Sequence, residues 1–295
     1  MAKGPLHILA AAFAVLGFAM AAHAGAAPLP PSLRDARASA AARLCGLYAV
    51  PPSKCAAPIL IRLAPSGDRL PPFWRGLPSY AAGAADPEAG RIIIVLPRCG
   101  NFPYGAPGQT LAHELSHVLL YRSLGYEPPR WLDEGLAMRA GGSLGAAQDW
   151  YLALALPRAA SGRYTLADLT RGFRGSSLEV RRSYALSRAF VGDLFPRDRA
   201  VTRFVLTARR LGSVDAAFRF QFGASPEVLF SRWARRKSVF RQWLQILVSQ
   251  DLLWFLITLL FLAAAAAVLL RRFKTRRLRA GGEDVPDWWR EENGN

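Results

Sequence analysis

At 295 residues the chain is long enough to bury a sizeable core and to carry appendages to it. Its formal net charge of +17 comes from 38 basic residues, only four of them lysine. The arginines are spread through an Ala-rich sequence and cluster mainly beside one apolar segment. No basic element is interleaved with stacking aromatics, so the charge does not mark a nucleic-acid binder. Anionic lipid headgroups are the simpler partner for the clusters.

In chain order, residues 1–24 carry Lys3, an apolar run from Ile8 to Met20 and the small-x-small sequence Ala22-His23-Ala24. That is the pattern of a secretory signal peptide cut after Ala24, because the apolar run is too short to span a bilayer comfortably. Residues 25–245 then read as an exported domain. A Pro-rich linker passes into a helical stretch from about Ser32. "APILIRLAP" and "RIIIVLP" are short Ile/Val-rich runs bounded by Pro and Gly, expected to be strands, with turn signals and room for a short strand between them. Arg91 to Leu96 is expected at the sheet edge, where an extended peptide can pair. The loop "CGNFPYGAPGQ" leads into a helix from about Thr110. After Pro128-Pro129 a second helix runs from Arg130 to Ala140 and stops at Gly141-Gly142.

Beyond that the chain is mostly helical. Leu186, Phe190 and Leu194 recur four apart before Pro196, and Ser225-Pro226 has the form of an N-cap and first helical residue. Strands first and helices after predict an α+β domain: a small N-terminal mixed sheet on the helix from Thr110, then a helical half. Residues 252–270 hold 19 residues without a charge, enough for a transmembrane helix, and residues 271–295 form a basic tail. Both flanks of this segment are basic, so the leader decides the orientation: domain outside, on the periplasmic or extracellular side, and tail in the cytoplasm. Cys45, Cys55 and Cys99 would enter an oxidising space. One disulfide is expected, Cys45 and Cys55 are nearest in sequence, and the pairing stays open.

The centre of the sequence is "TLAHELSHVLLYRS". His7 and His23 fall in the leader, so His113 and His117 are the histidines of the exported chain, and Glu114 follows the first directly. Four residues of α-helix turn through about 400° and rise about 6 Å, so both imidazoles leave one face a turn apart and can meet one Zn²⁺ per chain. Glu114 lies about 100° away, beside the metal, where it can take a proton from water that the metal has acidified. A catalytic metal needs a third protein ligand. Leu120 and Ser123 stand where a longer motif would need Gly and His, and no histidine follows, so the ligand must be a carboxylate. "PRWLDEGLAMRAGG" offers Asp133 and Glu134.

"HELSH", with sixteen residues between His117 and Glu134 of "WLDEGLA", resembles the gluzincin metallopeptidases, in particular the peptidase-MA-like group related to the thermolysin and aminopeptidase M1 families. The likeness runs from about Leu77 to Trp233. It implies Glu134 as the third zinc ligand, Glu114 as the general base, and a downstream tyrosine that stabilises the oxyanion. By position that tyrosine is Tyr184, with Tyr164 and Tyr126 as further candidates. Asp133 would orient a ligand from behind. The Gly-x-Met-Glu-Asn stretch with which M1 enzymes grip a free amine is missing, which favours endopeptidase action on a protein or peptide near the membrane. A histidine-based serine or cysteine triad is excluded, since no histidine is spare. The competing expectation is a non-catalytic, zinc-stabilised module that binds envelope proteins.

Overall fold

The computed structural model describes residues 29–67, 70–142, 145–237 and 250–280. The expected leader and residues 281–295 of the expected tail lie outside them. The chain divides into two compact units, Met1–Val239 and Phe240–Asn295.

The first unit is a mostly helical α+β structure. It opens with α1 (Pro31–Leu47) and the short α2 (Pro52–Ala56), continues through β1 (Leu60–Ala64), β2 (Gly83–Asp86) and β3 (Arg91–Val95), and then turns helical. The helices are α3 (Pro107–Leu124), α4 (Arg130–Gly141), α5 (Ala146–Ala160), α6 (Leu166–Gly172), α7 (Ser177–Leu194), α8 (Asp198–Leu211), α9 (Val214–Phe222) and α10 (Pro226–Arg236). Helix α3 begins at Pro107, a turn before the expected Thr110, because Pro suits the first helical position. It ends at Gly125, whose φ of 83° is the left-handed stop that glycine favours. Ser225 precedes α10 as expected, but its hydroxyl makes no capping bond.

The sheet has the order β1-β3-β2, with β1 parallel and β2 antiparallel to β3. This corrects the expectation for Arg91 to Leu96: β3 is the central strand and β2 is an edge. The apolar run Ile92-Ile93-Ile94-Val95 is buried throughout because both faces of β3 are covered. Ile92 and Ile94 join Leu111, Leu115, Val118 and Leu119 of α3 in the main core, while Ile93 and Val95 pack under Leu70, Trp74 and Leu77.

Helix α3 is therefore enclosed: the sheet lies on one side, α1 on another and α4 on a third. Helix α1 turns Leu33, Ala40, Leu44 and Leu47 inward, and three polar contacts fix it. The Tyr48 and Ser116 hydroxyls are 2.6 Å apart, Ser123 Oγ donates to the Tyr48 carbonyl, and an Arg43 Nη donates to the Ala140 carbonyl at 2.7 Å. Cys45 and Cys55 form the disulfide, with Cα atoms 6.0 Å apart, and Cys99 keeps its thiol. On the other side α7 packs across α4, α5 and α6. An aromatic cluster of Trp131, Phe190, Phe195, Phe204, Phe218 and Phe230 fills the space among α4, α7, α8, α9 and α10.

In the second unit α11 (Gln250–Ala280) is one continuous helix. Its apolar part, Leu253–Phe273, spans 21 residues, roughly 31 Å at helical rise, and is exposed along its length. It is long and apolar enough for a single membrane span.

Candidate metal centre

Helices α3 and α4 supply the centre. His113 and His117 leave α3 one turn apart, with ring centroids separated by 5.0 Å, and Glu134 faces them from α4. Glu134 Oε2 lies 3.3 Å from His113 Nε2 and 3.7 Å from His117 Nε2. Ligand atoms held about 2 Å from a tetrahedral metal are spaced by roughly 3.3 Å, so these separations fit one ion. The candidate ligand atoms of the three side chains all lie within 4.8 Å of one another.

The carboxylate gives a second test of fit. Glu134 Oε2 is shielded from solvent, and none of its neighbours is aligned to hydrogen-bond it. A buried acceptor left in this way costs about 1–3 kcal/mol, and a cation at the point where the histidine nitrogens converge would satisfy it. The other oxygen, Oε1, faces Arg130 Nε at 3.4 Å. Asp133, the alternative carboxylate, is turned to the back of His117, with Oδ2 2.8 Å from Nδ1. With Asp133 on the Nδ1 side, a proton kept on Nδ1 would leave the Nε2 lone pair to the centre. The group can hold a metal ion through His113, His117 and Glu134, with Asp133 supporting His117.

The electrostatics follow from burial and crowding. Burial favours the neutral form of Glu134, but the two histidines and Arg130 outweigh it and push the carboxyl down to about 2. Burial likewise opposes charge on His117, yet Asp133, Glu134 and Glu114 push it up to about 10. Glu114 is raised above the ordinary carboxylate range, chiefly by burial.

These side chains open into a cavity of about 660 Å³, walled by β2, the loops before β2 and α3, and the start of α4. Glu114 sits in its floor against Gly83. A Cβ at that position would stand 2.5 Å from Glu114 Oε1, so the Glu114 carboxylate occupies space that only glycine leaves free. Tyr184 lines the cavity, its ring centroid 6.3 Å from His113, and burial raises its phenol well above the ordinary value. Tyr164 and Tyr126 lie elsewhere: the Tyr164 hydroxyl pairs with Ser183 Oγ, and the Tyr126 hydroxyl donates to the Ala208 carbonyl. Sequence reasoning missed Tyr104. It reaches the cavity from the loop before α3, 5.6 Å from the His113 ring and 6.3 Å from that of Tyr184. The tract "CGNFPYGAPGQ" has no periodicity, and only its fold-back onto α3 brings the tyrosine to the site.

Gly135 explains how α4 reaches this position. A Cβ there would lie 2.5 Å from Val191 Cγ2 and 2.8 Å from the Ser187 carbonyl oxygen, so α4 and α7 approach more closely than a side chain allows. That contact brings Glu134 and Tyr184 to the same cavity. Comparisons with family models, curated proteins and solved structures give no match for this chain.

Proposed function

We propose that the chain is a membrane-anchored zinc metallopeptidase of the gluzincin type, cleaving peptide bonds within a protein or peptide substrate near the membrane. The observation that carries this reading is the convergence of His113 Nε2 and His117 Nε2 on one otherwise unpartnered oxygen of Glu134, with Glu114 buried beside them. Bound by those three side chains, zinc supplies Lewis-acid chemistry, acidifying water and polarising a carbonyl.

The chain's own residues would do the rest. Glu114 takes the proton from the attacking water and delivers it to the departing amine nitrogen. Its raised proton affinity suits a group that must hold that proton between the two events. Tyr184 stays a neutral donor across the physiological range and stabilises the oxyanion. Tyr104, beside it, is a second phenol in reach. The outer edge of β2 forms one wall of the cavity and offers backbone groups to an extended peptide. The missing amine-gripping stretch favours endopeptidase action, and the leader expected at 1–24 would put the catalytic unit outside the cytoplasm with the tail inside.

Glu114→Gln tests catalysis against a binding-only module. Turnover of a trapped envelope substrate should fall by about 10²–10⁴-fold while zinc stays bound at one per chain. Unchanged turnover would remove Glu114 as the base, and capture of the same partners with no cleavage by wild type would leave only the binding module.

A further inference from the structure

A second cavity, of about 360 Å³, opens where the end of α5, the loop after it, α6 and the first turns of α7 meet; it shares no lining residue with the metal centre. Arg158, Arg163, Arg171 and Arg182 line it against two carboxylates, Asp168 and Glu179. Both carboxylates are already engaged in holding helix ends. Asp168 accepts from the Thr165 amide and hydroxyl and pairs with Arg171, and Glu179 accepts from the Ser176 amide at 2.8 Å and hydroxyl at 3.0 Å. Among the described residues Arg158, Arg163 and Arg182 have no ion pair, and Arg182 Nε is out of solvent with no hydrogen-bond partner. The Tyr164 hydroxyl adds a neutral donor at the wall.

Glu179 attracts Arg158 and Arg182, and Asp168 pairs with Arg171, yet four guanidiniums line the concavity against two carboxylates, and an anion between them would offset the excess positive charge. Guanidinium forks match carboxylate and phosphate oxygens. Forks arriving from three elements suit the tetrahedral oxygens of a phosphate group better than a planar carboxylate. The volume exceeds that of a bare phosphate and falls at the small end of ligand pockets, which start at about 300 Å³. We propose that this cavity binds a phosphate group carried on a larger body, with Arg158, Arg163 and Arg182 as its anion-binding residues. A phospholipid headgroup and a soluble phosphate ester share that chemistry.

The test uses the full chain in a zwitterionic detergent, titrated calorimetrically with glycerol 3-phosphate and, separately, with short-chain phosphatidylglycerol. One saturable site is expected. Arg163→Gln and Arg182→Gln should each weaken it at least tenfold, whereas Arg203→Gln, an exposed cation on α8, should leave it unchanged. Tighter binding of the lipid identifies a headgroup site, tighter binding of the ester a solute site, and either supports the assignment. No saturable binding of either probe overturns it, and so does an equal loss in Arg203→Gln, which would mark diffuse attraction to a basic chain. Should Arg182→Gln lower the melting temperature, Arg163→Gln decides, since its side chain is exposed on a loop.

Discussion

His117 stands between two carboxylates, Asp133 behind its Nδ1 and Glu134 before its Nε2. The first orients the ring and makes it a better ligand, so Asp133→Asn should weaken zinc binding by about 10–100-fold, read by competition with a chelating dye. The second, together with Asp133 and Glu114, favours the proton against burial and holds His117 up to about 10. Protonated His117 stabilises the metal-stripped fold fully below its unfolded value near 6.5, and that contribution is lost as pH rises through about 10. Zinc must displace the same proton. Its affinity should therefore climb by up to tenfold per pH unit as pH rises toward about 10, with close to one proton released from His117 per ion bound. Calorimetry in buffers of different ionisation enthalpy measures that release, and an affinity flat with pH would mean His117 enters the site already neutral. The histidines and Glu114 were legible in the sequence because their relation is set within one helix. Spacing left Asp133 and Glu134 open, and only the resemblance pointed to Glu134: they are about 100° apart on α4, and which of them faces the histidines depends on how α4 is rotated against α3.

At the scale of elements, that rotation is fixed by close packing. Gly135 lets α4 settle against Val191 and Ser187 of α7, while Trp131 anchors the same helix among Phe190 and Phe218. Gly135→Ala should destabilise the fold by about 1–3 kcal/mol in denaturant unfolding. Because the added methyl pushes on the helix that carries Glu134, it should also weaken zinc binding. A variant as stable as wild type would mean that α4 and α7 can slide apart at no cost. The sheet teaches a different lesson. Arg91 to Leu96 was recognisable as a strand, but its place in the sheet was misjudged. Four consecutive apolar residues, rather than an alternating pattern, are what a strand covered on both faces requires, and that signal pointed to the centre. The short, Ala-rich β2 carries little propensity of its own and is held by its pairing with β3.

At the scale of the molecule, a globular unit with its own core is followed by a long apolar helix. If the first unit folds by itself, a chain ended after Val239 should stay in the supernatant on ultracentrifugation, keep the melting temperature of the unit and bind one zinc ion. The full chain should pellet with membranes until detergent is added. Loss of zinc binding in the shortened chain would mean that residues beyond 239 complete the centre.

The sequence alone determined whatever depends on neighbours along the chain: the two histidines one turn apart with a glutamate beside them, the helices and strands in their order, and an apolar segment long enough to span. Those features follow from helical pitch, side-chain periodicity and summed hydropathy, which are local. Tertiary structure alone decided which strand is the edge, that Tyr104 joins Tyr184 over His113, and that Gly83 makes room for Glu114; it also turned Glu134 to the histidines, as the resemblance implied. Each of these brings together groups from separate elements, and their relative placement is set by how side chains fill the space between α3, α4, α7 and the sheet.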